Sequence, residues 1–125
     1  MKEKLRIALA GAGMVSRHHL IAWSYISEAE VVAIYNRTLD KALARAAEFK
    51  IPKAYSDIEK MLDQERPDAI DIAVSMEAHS EFARMAADRD IHILCQKPMA
   101  STLREAEDLA GYVGEKVRFM VHENW

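Results

Sequence analysis

The sequence predicts an α/β protein: a doubly wound parallel sheet in a three-layer arrangement, with helices on both faces. Three observations carry that expectation. Short apolar runs recur along the chain, and a strand buried on both faces reads as a near-continuous apolar run rather than an alternating one. Segments with helical spacing separate these runs, so strand and helix alternate from one end to the other. The first run, Leu5 to Ala10, stops at Gly11-Ala12-Gly13, and a helix-compatible segment follows at once. Right-handed crossovers then give the strand order 3-2-1-4-5-6.

Leu5 to Ala10 is the first strand despite Arg6, and Met14 to about Ile26 is the first helix, with Val15, His19, Ala22 and Ile26 near one face. The β-branched run Glu30 to Tyr35 is the second strand. Thr38 is placed to cap an Ala-rich helix from Leu39 to Phe49, and Pro52 follows its end. Ala54-Tyr55 forms a short strand, and Ser56 with Glu59 makes a capping box for a helix ending near Asp63. Ala69 to Val74 is the fourth strand, the loop Ser75 to Ala78 leads into a helix from His79 to Asp88, and Ile91 to Cys95 is the fifth strand. Lys97-Pro98 ends it. Thr102 with Glu105 opens the last helix, which runs to about Val113 with Gly114 as its stop, and Val117 to Val121 is the sixth strand.

Residues 1–125 read as one domain, long enough to bury a core. Half of the residues are hydrophobic and 30% are charged, which excludes a disordered chain. The formal charge of −3 comes from 17 basic and 20 acidic residues, without a basic block, so neither nucleic acid nor an anionic membrane is the expected partner. The single cysteine, Cys95, allows no internal disulfide and reads as a core residue. With no signal-peptide pattern and no apolar run of transmembrane length, a cytoplasmic location is expected.

The Gly-rich turn carries the chemistry. Gly11 allows the tight exit from the strand, and Gly13, lacking a Cβ, lets a pyrophosphate approach the backbone. Met14 and Val15 then open a helix whose free N–H groups and positive dipole end face that phosphate. Ser16 stands at the third small position of G-x-G-x-x-G. In such sites the second strand usually ends in an acidic residue that binds the adenosine ribose. Here Asn36 stands there, followed by Arg37 and Thr38. Neutral Asn36 does not repel a 2′-phosphate, and Arg37 offers it a fork of donors, so NADP is favoured over NAD. If Arg37 is only a solvated turn residue, both cofactors bind.

Gly11, Gly13, Ser16 and His19, then Asp71-Ile72-Ala73, His79 with Glu81, and His92 to Pro98 (H-I-L-C-Q-K-P) together resemble the glucose–fructose oxidoreductase / inositol dehydrogenase / rhizopine-catabolism (Gfo/Idh/MocA) family. The resemblance extends to Val121–Asn124 and implies the N-terminal Rossmann domain of an NAD(P)-dependent oxidoreductase. Such an enzyme moves a hydride between nicotinamide and a sugar, polyol or related hydroxy or keto compound.

The family's E-K-P signature is matched by Lys97 and Pro98. The resemblance therefore implies a catalytic role for Lys97, which would hydrogen-bond the reacting oxygen and stabilise its charge. It also puts Ser75, His79 and Gln96 beside the cofactor with Lys97. Two positions depart from the family. Gln96 replaces the signature glutamate and removes a negative charge beside Lys97, and Ser75 replaces a proline.

Family members carry a second domain with most substrate contacts and a catalytic histidine, and it is absent from these residues. Cofactor binding with little or no turnover is therefore expected of this chain alone, with self-association through surfaces that normally meet the second domain. The alternative is a non-catalytic, dinucleotide-sensing regulatory module, which Gln96 favours. No metal site is expected: His18 and His19 diverge on their helix, His19 reads as a packing or capping residue, and His92 and His122 need no functional account.

Overall fold

A computed structural model describes residues 3–122. Its six strands are β1 (Leu5–Ala10), β2 (Ala29–Tyr35), β3 (Lys53–Tyr55), β4 (Ala69–Ile72), β5 (His92–Gln96) and β6 (Phe119–His122). All neighbours pair in parallel, in the order β3-β2-β1-β4-β5-β6. The helices are α1 (Met14–Ser24), α2 (Leu39–Phe49), α3 (Ile58–Glu65), α4 (His79–Asp88) and α5 (Leu103–Val113), and a 3₁₀ turn spans Met76–Ala78. No helix of the described residues is long and apolar enough to cross a membrane.

β1 is central, and its apolar run is divided between the two faces. Ala8 and Ala10 pack with Met61, Leu62, Phe82 and Leu109 from α3, α4 and α5, whereas Leu9 packs with Leu20, Ala42 and Ala46 from α1 and α2. Period-two alternation produces this division. Arg6 fits because its guanidinium leaves the core: it donates to the Glu65 and Arg66 carbonyls at the end of α3 and pairs with the Glu65 carboxylate at 3.2 Å.

Several expected details are corrected. Asp57, not Ser56, caps α3, because its carboxylate accepts the Lys60 N–H at 3.2 Å. Thr38 occupies the N-cap position of α2, but its hydroxyl makes no capping bond. Thr102 does accept the Glu105 N–H, at 3.1 Å, while the Glu105 carboxylate accepts from Ser101 at 2.6 Å instead of closing a box. β4 ends at Ile72, two residues before Val74, although the Ala73 N–H still reaches the Ala10 carbonyl of β1 at 2.7 Å. β6 begins at Phe119, whose pairing partner is Ile93, and Val117 is buried just ahead of it. α1 stops at Ser24, where the Tyr25 and Ile26 N–H groups close a turn onto Ala22 and Trp23. β5 is displaced by one residue, starting at His92, and α3 runs on to Glu65.

Candidate functional site: a glycine turn between two clefts

The turn after β1 is fixed by its surroundings. Gly11 has φ +118°, and a Cβ there would lie 2.5 Å from the Ala73 carbonyl oxygen, so neither conformation nor space admits a side chain. The Ala12 N–H donates to Asn36 Oδ1 at 3.1 Å, and Asn36 Nδ2 donates to the Thr38 carbonyl at 3.0 Å. Arg45 reaches from α2 to donate to the Gly13 carbonyl at 3.1 Å, while its other nitrogen pairs with Glu48 at 2.8 Å. Buried Ser16 donates its hydroxyl to the same Gly13 carbonyl at 2.5 Å. The third small position therefore matters because it lies inside the turn.

The other side of the turn is left open. No side chain caps α1, no acidic residue lies in its first turn, and a Cβ on Gly13 would meet nothing within 4 Å. Protein packing does not require glycine at position 13, whereas the close approach of an anion to the helix N-terminus would. The turn's carbonyls are engaged by Arg45 and Ser16, and the dipole's positive end is left for a ligand. This donor set fits a diphosphate.

A cleft of about 510 Å³ begins at this turn and brings together Gly11, Gly13, Asn36, Arg37 and Ser75. Arg37 is exposed and is the one cation lining the cleft among the described residues, while Glu77 and Glu81 contribute carboxylates from the 3₁₀ turn and α4. Asn36 has both polar side-chain atoms engaged with the backbone, so Arg37 is the residue at the end of β2 with donors free for a ligand. Met14 and Val15 are exposed on the first turn of α1, and Thr38 is exposed at the start of α2, all outside this lining.

The remaining predicted residues lie apart. His79 is buried, with its ring nitrogens 2.9 Å from the Pro98 carbonyl oxygen and 3.0 Å from that of Val74. It thereby ties the loop after β4 to the loop after β5. Lys97, joined to Pro98 by a cis peptide bond, is half-buried on the second of these loops. Gln96 turns to the opposite face of the sheet, where its Oε1 lies 3.0 Å from His19 Nε2.

That opposite face holds a second cleft, of about 520 Å³, lined by Val15, His18, His19 and Ala22 of α1 and by Ile26 beyond its end, together with Asp71 and His122. Asp71, in the middle of β4, is 1% exposed. Its carboxylate lies 2.8 Å from His19 Nδ1 and 3.2 Å from His122 Nε2, and it accepts the Trp23 indole N–H at 2.8 Å. Burial opposes the charge on Asp71, but the bonds from His122, His19 and Trp23 and the charge of His19 outweigh it and hold the carboxyl down at about 2. Burial likewise works against a charged His19, yet Asp71 and Gln96 raise its pKa above the ordinary histidine value. Burial also pushes the Cys95 thiol up to about 12, which leaves it an unreactive core group.

His122, for which the sequence suggested no functional account, lies against Asp71, a residue the sequence offered only as part of the family motif; Trp23 and Arg45 had no signal in it. His19 turns toward Asp71, while His18 is exposed and lines the same second cleft. An aspartate inside the apolar run A-I-D-I was the one available signal, since a buried carboxylate needs donors brought by the fold.

An uncapped helix after a glycine turn, on the carboxyl edge of a 3-2-1-4-5-6 sheet, defines a dinucleotide-binding domain of the Rossmann type. The family model for an oxidoreductase family with an NAD-binding Rossmann fold matches residues 5–123, and the chain belongs to that Gfo/Idh/MocA family. A D-apiose dehydrogenase from Paraburkholderia graminis is 36% identical over 98% of this chain and 33% of its own length. A D-xylose 1-dehydrogenase (NADP(+)) from Haloferax volcanii is 35% identical over 85% of the chain and 32% of its own length. Among solved structures, an oxidoreductase from Agrobacterium radiobacter in complex with NAD+, L-tartaric acid and magnesium superposes with TM-score 0.93 at 28% identity, covering 98% of this chain and 36% of that one. The chain thus spans about a third of the length of these relatives.

Proposed function

We propose that this chain is the cofactor-binding part of an NAD(P)-dependent oxidoreductase that transfers a hydride between nicotinamide and a sugar, polyol or related hydroxy or keto compound. The observation that carries the reading is the bare N-terminus of α1 opening into the first cleft beside Gly13. The relatives named as dehydrogenases of apiose and xylose support the substrate class.

When bound, the dinucleotide supplies the hydride acceptor or donor. The chain's own residues hold and orient it. Gly11 and Gly13 with the first N–H groups at Met14 and Val15 hold the diphosphate. Arg37, with Asn36 and Thr38 beside it, meets the adenosine ribose and favours a 2′-phosphate, hence NADP(H) over NAD(H). Ser75 bounds the path from the loop after β4, and His79 ties that loop to the one that follows Gln96 and carries Lys97. The Lys97 ammonium donates a hydrogen bond to the reacting oxygen and stabilises the charge that develops there.

Titration of the protein with NADPH and NADH, read by nucleotide fluorescence, tests this reading. Saturable binding with NADPH the tighter ligand is expected, and an absence of binding by either nucleotide refutes it. Tighter NADH would refute the NADP preference alone.

A second reading is a dinucleotide-sensing module without chemistry. Gln96 supports it, since the signature position carries no charge and its amide faces His19 rather than the cofactor cleft. A Lys97→Ala substitution in the protein that contains this chain separates the two: hydride transfer collapses if Lys97 is catalytic, and nothing but binding is measurable if the module only senses.

A further inference from the structure

We propose that His19, Asp71 and His122 form a binding site for a divalent transition-metal ion of the zinc class, one ligand coming from each of α1, β4 and β6. Two imidazoles and a carboxylate converge, with the three ligand atoms all within 4.8 Å of one another. His122 Nε2 and Asp71 Oδ1 are 3.2 Å apart, about the separation that two ligands take around one ion at bonds near 2 Å. His19 Nδ1 and Asp71 Oδ2, at 2.8 Å, need to part by only about half an ångström for an ion to replace the proton between them.

The surroundings are those of a ligand set rather than a chance contact. Gln96 Oε1 lies 3.0 Å from His19 Nε2, the carbonyl partner that keeps a proton on Nε2 when an ion displaces the one on Nδ1. Trp23 orients the Asp71 carboxylate through its indole N–H at 2.8 Å. The ring planes of His19 and His122 meet at 61° with centroids 4.8 Å apart, so neither ring blocks the other's nitrogen. Asp71 is 1% exposed, while His122 borders the second cleft. An ion could therefore reach the three ligands from the cleft. Two nitrogens with one oxygen suit Zn²⁺ or Co²⁺ and not Mg²⁺, which requires oxygen ligands. The site lies on the face of the sheet opposite the Gly11–Arg37 cleft, and the proposal is independent of the dinucleotide reading.

The test is a titration of untagged, chelator-stripped protein with Co²⁺ in the absence of nucleotide, followed in the visible region. One equivalent should produce the intense d–d bands of a low-coordinate site, and Zn²⁺ should bleach them. His122→Gln on the edge strand should weaken Co²⁺ binding at least tenfold while circular dichroism stays unchanged. Asp71→Asn should abolish it, and His92→Ala, on β5 and outside the lining of that cleft, should leave it intact. Absence of saturation at one equivalent, indifference to His122→Gln, or displacement of Co²⁺ by comparable Mg²⁺ would overturn the assignment.

Discussion

The side chain of Asn36, at the end of β2, holds the backbone of Ala12 in the turn after β1, accepting its N–H at 3.1 Å. The position that reads the ribose in related folds here braces the phosphate turn. Asn36→Asp keeps the acceptor and adds a charge, so folding should survive while NADPH binding weakens relative to NADH. Asn36→Ala removes the brace and leaves a donor unpaired, which should cost about 1–3 kcal/mol and weaken both nucleotides. Thermal melts and the two titrations measure these effects.

Arg37→Ala should lower NADPH affinity by about ten- to a hundredfold, the value of a lost charge-assisted hydrogen bond, with a much smaller effect on NADH. Because Arg37 is exposed, its removal should leave the melting temperature in place. Equal losses for both nucleotides would show that it does not read a 2′-phosphate.

Gly11 and Gly13 should fail differently. Gly11→Ala meets the Ala73 carbonyl oxygen and a φ of +118°, and should destabilise the fold by about 3 kcal/mol. Gly13→Ala enters open space and should cost at most about 1 kcal/mol at this cap position, yet it obstructs the diphosphate. Calorimetry with and without NADPH separates the two.

The sheet, its strand order and the glycine turn were legible in the sequence because local signals specify them: unbroken apolar runs, helical spacing, and small residues between. The His19–Asp71–His122 cluster was not. Its members are 52 and 51 positions apart: the pairing of β4 with β5 and of β5 with β6 brings His122 to Asp71, and α1, following β1 beside β4, brings His19. The same limit applies to Arg45, whose helix reads as an ordinary amphipathic one, and to Asp57, which displaced Ser56 because either residue type can cap.

Metal-stripped protein should show two pH slopes that both trace to Asp71. Its folded pKa of about 2 lies below the ordinary 3.8, so its contribution is complete above about pH 4 and fades as pH falls through 2. That contribution is about 2 kcal/mol. The raised pKa of His19 acts in the other direction: its contribution is complete below 6.5 and fades as pH rises through the folded value. Denaturant midpoints across pH should therefore peak on the acidic side of neutrality, and Asp71→Asn should flatten both slopes.

At one border of the sheet, β3 has only three residues, Lys53 to Tyr55, and Pro52 and Lys53 stand exposed at its start. A foreign strand has almost no main chain there to copy, and an ammonium group and a ring without an N–H guard the approach. Fibril-like growth from that border is thereby discouraged, and any assembly of this protein on that side has to proceed through side-chain surfaces instead.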